Sequence, residues 1–150
     1  MIYLGADHRG FELKEKIKSW LADWGYQFED LGNAVFDKTD DYPDFASAVA
    51  RKVSENPEEN RGILLCGSGV GVDITANKFK GVRSALVWSD DEELVKQSRS
   101  HDNSNVLSLP ADHLMDKQTQ KIVKLWLETP FSEEERHVRR LKKIAGLLRS

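Results

Sequence analysis

One cysteine in 150 residues excludes an intrachain disulfide. The lack of a CxxC pair or of a Cys/His cluster at ligand spacing argues against a structural zinc site. A reducing cytoplasm is the setting this implies. No apolar run approaches the roughly twenty residues of a membrane-spanning helix. The opening Met1-Ile2-Tyr3-Leu4-Gly5-Ala6, followed by charge, carries no basic leader, so neither export nor anchoring is expected. An excess of one charge is missing too, since 22 basic residues against 25 acidic ones give a net charge of −3. Such a chain has no global field for nucleic acid or anionic lipid, and any anion it binds must be held locally. Internal repeats, low-complexity linkers and shifts of composition are absent. Hydrophobic residues make up 39% of the chain, enough for one core, so residues 1–150 read as a single domain.

What is present is alternation. Strand-length apolar runs take turns with stretches of helical period, the pattern of βα units and of a parallel sheet covered on both faces. Five strands are predicted, at Met1–Ala6, Tyr26–Leu31, Arg61–Cys66, Val82–Trp88 and Asn105–Leu109. Helices are predicted between and after them at Gly10–Trp24, Tyr42–Ser54, Val70–Phe79, Asp90–Ser100 and Asp116–Glu128. A sixth, Glu133–Arg149, opens with Ser132 and Glu135 at capping-box spacing and runs from acidic to basic. With no strand after it, this helix can pack on its own sheet or on a partner subunit.

Open parallel sheets bind ligands at the carboxyl ends of their strands, which directs attention to the residues that follow each strand. Four stretches are assigned there: Asp7-His8, Asp41-Tyr42-Pro43, Cys66-Gly67-Ser68-Gly69-Val70-Gly71 and His101-Asp102-Asn103. The third is the strongest. Alternating glycines after an apolar strand let successive backbone N–H groups point into one concavity, and the helix that follows adds positive potential. An anion or a developing oxyanion is stabilised there, and the same field favours the thiolate of Cys66. A dinucleotide fingerprint is the rival reading, but its G-x-G-x-x-G spacing fails and it normally follows the first strand. A tight structural turn also remains open for these glycines.

The other candidates each have a plainer explanation. An N-cap accounts for Asp7 by position alone. His8 faces the expected cleft, whereas His101 can equally be a helix C-terminal histidine. Arg136 and Arg140, four apart on the last helix with His137 and Arg139 beside them, share a face that suits a phosphate or simply solvent.

Taken in order, these motifs resemble the type B ribose-5-phosphate isomerases and the related galactose-6-phosphate isomerase subunits. The matching stretches are Asp7-His8-Arg9-Gly10-Phe11 with Leu13-Lys14, Asp41-Tyr42-Pro43-Asp44, Gly62–Gly71 with Ala76-Asn77-Lys78 and Gly81-Val82-Arg83, Ser98–Val106, and Arg136-His137 with Arg140. The resemblance implies a Rossmann-like three-layer α/β sandwich with a five-stranded parallel sheet and an extra C-terminal helix. It also implies a phosphorylated sugar substrate, a homodimer or dimer of dimers with shared active sites, and no metal or organic cofactor. Its implied roles are ring opening by His101 with Asp7, and proton transfer between C2 and C1 by Cys66. The amides of Gly67, Ser68, Gly69, Val70 and Gly71 would stabilise the enediolate, with Ser68 keeping a hydroxyl where threonine is common. Tyr42 would line the sugar, Asp102 would contact its oxygens, and His8, Arg136 and Arg140 would hold the phosphate.

Two stretches depart from the family's pattern. His101 is followed by Asp102 then Asn103, where Asn then Asp is usual, and Asp112 stands where an arginine often assists phosphate binding. Each is expected to oppose a dianionic substrate, with His113 a candidate to offset the charge. The competing functions are an isomerase of allose 6-phosphate or galactose 6-phosphate, a non-catalytic phosphosugar-binding protein, and, from sheet topology alone, a flavodoxin-like nucleotide module.

Overall fold

A computed structural model of the chain describes residues 1–147, so the expected end of the last helix at Arg149 lies outside the described residues. In chain order the elements are β1 (Ile2–Ala6), α1 (Phe11–Asp23), β2 (Phe28–Asp30), α2 (Tyr42–Glu55), β3 (Arg61–Cys66), α3 (Val70–Ala76), β4 (Ser84–Leu86), α4 (Glu92–Ser100), β5 (Val106–Pro110), α5 (Asp116–Glu128) and α6 (Glu135–Ala145). The strands form one parallel sheet in the order β2-β1-β3-β5-β4. No helix of the described residues is long and apolar enough to cross a membrane.

The period-2 alternation of a strand sorts the core into two layers. Ile63 and Leu65 of β3 face one side, where Leu13, Ile17 and Leu21 of α1, Val95 of α4 and Ile122, Val123 and Trp126 of α5 cover them. Leu64 and Cys66 face the other, against Ala46, Val49, Ala50 and Val53 of α2 and Val72 and Ala76 of α3. The spacing of Leu13, Ile17 and Leu21 is one helical stripe, and each such side chain contributes about 1.5–3 kcal/mol when buried. Cys66, the last residue of β3, thus lies on the face that α3 covers.

Four expectations about the elements are corrected. Val82–Trp88 pairs only over Ser84–Leu86, and Tyr26–Leu31 only over Phe28–Asp30. Both are edge strands with a neighbour on one side alone, so apolar sequence continues past the ladder. The helix expected at Val70–Phe79 ends at Ala76, because the Lys78 and Phe79 N–H groups bond three residues back and the chain turns at Gly81, φ 77°. The capping box of α6 does not form. Glu134 occupies the cap without a side-chain bond, and the Ser132 hydroxyl instead meets His137 Nδ1 at 2.9 Å.

Candidate active site

Asp7 leaves β1 with its carboxylate turned back to the chain. Its Oδ1 accepts from the N–H groups of Arg9 (3.0 Å) and Gly10 (3.2 Å). The helix cap itself is Gly10, so Asp7 braces the turn before α1 rather than capping it directly. Burial pushes the Asp7 carboxyl above its ordinary value of 3.8, while the amides of Gly10 and Arg9 pull the other way. His8 is held by a residue the sequence did not single out. Asp40 Oδ1 accepts from the His8 N–H at 2.9 Å and lies 2.8 Å from His8 Nδ1, and Asn33 Nδ2 donates to Asp40 Oδ2 at 2.8 Å. Nε2 is therefore the ring nitrogen left to meet a ligand. Asp7, His8 and Asp40 bring three potential metal-ligating atoms within 4.8 Å of one another. Within this group His8 Nδ1 and Asp40 Oδ1 are hydrogen-bonded to each other.

At the end of β3 the Cys66 sulfur accepts the Gly69 N–H at 3.2 Å, in a buried position. Gly69 makes this possible with φ 74°, a left-handed conformation that costs a side-chain-bearing residue dearly. Val70 N–H donates to the Ser68 hydroxyl at 3.3 Å. Of the five amides expected to face an oxyanion, two are thus engaged within the loop. Those of Gly67, Ser68 and Gly71 have no hydrogen-bond partner among the described residues. Tyr42, at the start of α2, lays its ring against Gly71, where a methyl group would stand 2.6 Å from the ring carbon Cε2. The carboxyl ends of β1 and β3 therefore gather Asp7, His8, Tyr42 and the Cys66–Gly71 loop.

His101, Asp102, Arg136 and Arg140 are not brought there, which corrects the placement of His101 at a strand's carboxyl end. His101 precedes β5, and the Asn105 carbonyl at that approach accepts the Gly62 N–H at 2.8 Å, while Cys66 is in register with Pro110 at the far end. Gly62 to Cys66 is four residues of strand, about 13 Å. His101 instead ends α4, its N–H on Gln97 O at 2.9 Å, with its ring stacked on His137 of α6 at 4.2 Å. Burial, reinforced by the charges of His101 and Arg136, holds His137 below the ordinary imidazole value. Arg136 and Arg140 are exposed on the same helix, Arg136 paired with Glu134 at 3.0 Å. Asp102, Arg83, Leu141 and Ile144 line a cavity of about 400 Å³ between this helix and the start of β4.

The sequence model of the family described as Ribose/Galactose Isomerase matches residues 2–144. The chain belongs to the ribose/galactose isomerase family. Among its relatives, a probable ribose-5-phosphate isomerase B of Mycoplasma genitalium is 46% identical over 143 residues, covering 95% of this chain and 92% of that protein. A ribose-5-phosphate isomerase B of Mycobacterium tuberculosis is 38% identical over 144 residues, 96% of this chain and 87% of the relative. The crystal structure of the M. genitalium enzyme with bound ribulose-5-phosphate superposes with a TM-score of 0.92 at 45% identity, covering 97% and 93% of the two chains. A ribose 5-phosphate isomerase of Thermotoga maritima superposes at 0.89 and 40% identity, covering 97% of each chain.

Within this ribose/galactose isomerase chain Asn103 and Asp112 are each tied to neighbouring guanidinium groups. Asn103 adopts φ 46°, which asparagine tolerates, and its polar atoms turn inward: Arg83 Nε donates to its carbonyl at 2.7 Å and Arg99 donates to its Oδ1 at 3.0 Å. Arg99 is buried and lies over Trp126, its guanidinium pulled down to about 10 by burial and by the nearby Arg61 and Arg83 charges. Asp102 is left on the exposed side of this turn. Asp112 pairs with Arg9, so its charge does not stand alone. His113 stacks on Trp88 at 5.3 Å.

Proposed function

We propose that the chain is an aldose–ketose isomerase that interconverts ribose 5-phosphate and ribulose 5-phosphate. The observation that carries this reading is the Cys66 sulfur, set among loop amides at the carboxyl end of a family member's sheet. Isomerisation moves a proton between C2 and C1 and builds negative charge on oxygen as it does so. Cys66 takes the C2 proton as thiolate and returns it at C1. A thiolate is a weak base for a carbon acid, so the enediolate must be stabilised by the amides of Gly67, Ser68 and Gly71, each worth about 3 kcal/mol when well aimed. Tyr42 lines the sugar and His8 meets the phosphate.

The ring-opening group, His101, stands at the opposite end of the same chain's sheet from Cys66. A second subunit supplies it, along with Asp102, Arg136 and Arg140, in a homodimer or dimer of dimers whose sites are shared. Asp7, raised by burial, is suited to pass a proton in ring opening together with that histidine.

The test is turnover of ribose 5-phosphate in deuterated water, where an active chain yields ribulose 5-phosphate that carries deuterium at C1 to the extent that the Cys66 thiol proton exchanges with solvent before it is returned. Cys66→Ser fills the same space but does not ionise near neutral pH, so kcat should fall by ~10²–10⁴ with binding nearly intact. Activity within a few-fold of wild type would remove Cys66 as the base. Binding without turnover in the wild-type chain would make it a phosphosugar-binding protein, and faster turnover of allose 6-phosphate or galactose 6-phosphate would change the substrate.

A further inference from the structure

The residues that follow β1 and β5 meet over Gly67. Ala111 N–H donates to Cys66 O at 2.9 Å and Asp112 N–H to Gly67 O at 3.1 Å, which stitches the chain beyond β5 to the loop. From that anchored position the Asp112 carboxylate pairs with the Arg9 guanidinium. The guanidinium presses on the loop so closely that a methyl group at Gly67 would stand 2.6 Å from its central carbon. Arg9 therefore lies across the mouth of the Cys66 loop, next in sequence to His8.

Magnitudes separate the uses such a pair can have. The two side chains are 58% and 33% exposed, and an ion pair this wet contributes only about 0–1 kcal/mol to folding. Stability is a poor account of a guanidinium packed on a glycine beside a base. Anion recognition is a better one, because the planar fork offers five N–H donors and Asp112 occupies one edge of it. The rest remains to be directed at an incoming phosphate monoester, within reach of the His8 side of the site. Asp112, bonded to both the loop and Arg9, holds that fork over Gly67 and has its own charge balanced in doing so.

We propose that Arg9 is a further substrate-binding residue of this site, donating to the phosphate of the sugar, with Asp112 as its positioning partner. This rests on the reading of the substrate as a phosphorylated sugar. It replaces the expectation that Asp112 acts as a bare repulsive charge.

The experiment compares Arg9→Gln, Asp112→Asn and the double variant with wild type. Each is assayed for KM and kcat with ribose 5-phosphate and for the Kd of inorganic phosphate by calorimetry, folding being checked by thermal melting. Arg9→Gln should raise KM and the phosphate Kd about tenfold with kcat within about threefold, the pattern of lost ground-state binding. Part of that rise comes from uncovering Asp112, so the double variant should recover some affinity but not all. Arg9→Lys, which keeps the charge and loses the fork, should fall between wild type and Arg9→Gln. Unchanged constants in Arg9→Gln would overturn the proposal, as would full recovery in the double variant, because Arg9 would then only mask Asp112. If the wild-type chain fails to turn over ribose 5-phosphate, the functional reading falls while the phosphate measurement still decides the role of Arg9. A wild-type chain that does not bind phosphate overturns that role.

Discussion

Asp40 and Gly71 show how single residues set up the site without touching the reacting carbons. Asp40 grips His8 by ring and backbone together, so Asp40→Asn keeps the size of the side chain but trades two charge-assisted contacts for neutral ones. The expected result is a five- to tenfold rise in KM for ribose 5-phosphate, about 1–1.5 kcal/mol, with a smaller change in kcat. Steady-state kinetics on the variant check this, and a loss confined to kcat would place His8 in the chemistry instead. Gly71→Ala should also raise KM, since its methyl group would push the Tyr42 ring out of its place against the loop. Asp7, Cys66 and the glycine loop were legible in the sequence because their positions at strand ends announce them. Asp40 and Arg9 were not, because each works through a partner 32 or 103 residues away. A one-dimensional pattern that shows Asp112 as an added negative charge cannot show the guanidinium that balances it.

At the scale of elements, the central strands were legible and the edges overran. β3 pairs with β1 over Arg61–Leu65 and with β5 over Gly62–Cys66, so pairing and apolar sequence end together there, whereas β4 keeps apolar residues beyond its ladder. The placement of His101 failed for a different reason: it lies between α4 and β5, and a helix-to-strand connection returns to the amino edge of the sheet. Under α3, Asp73 Oδ1 is buried without a hydrogen-bond partner among the described residues, the Ser84 and Ser108 hydroxyls being bonded to each other at 2.8 Å. Burial raises this carboxyl above 3.8, and the two serines offset only part of the rise. The folded chain then holds the proton to higher pH than the unfolded one, so the group costs nothing below 3.8 and stability is lost as pH rises through the folded value. Asp73→Asn should therefore raise the melting temperature near neutral pH by about 2–4 °C, the shift that about 1 kcal/mol gives a chain of this size. The gain should vanish in melts run below 3.8, and a gain independent of pH would mean that the carboxyl is not the source of the cost.

For the whole molecule, the decisive fact is that Cys66 and His101 lie at opposite ends of one sheet, with the length of β3 between them. No rotamer closes that gap, and α6, which carries Arg136 and Arg140, stays with His101 at the amino end through the His101–His137 stack. A site that needs both a base from one end and a ring-opening imidazole from the other must be assembled from two chains in which these ends meet. Mixing experiments follow from the symmetry. In a twofold dimer each site would take Cys66 from one subunit and His101 from its partner, so Cys66→Ser and His101→Asn homodimers each have both sites damaged. A mixed dimer concentrates the two lesions in one site and leaves the other whole. Equal amounts of the two variants, allowed to exchange subunits, give mixed dimers half the time, each with one intact site of two. Activity on the cyclic sugar phosphate should then recover to about a quarter of wild type. The assay is turnover before and after exchange, with the mixed species isolated by differently tagged chains. If the isolated mixed dimer stays as inactive as its parents, both residues serve the same chain's site and the division between subunits is wrong. If it reaches about half of wild-type turnover, each site joins the carboxyl end of one sheet to the amino end of the other.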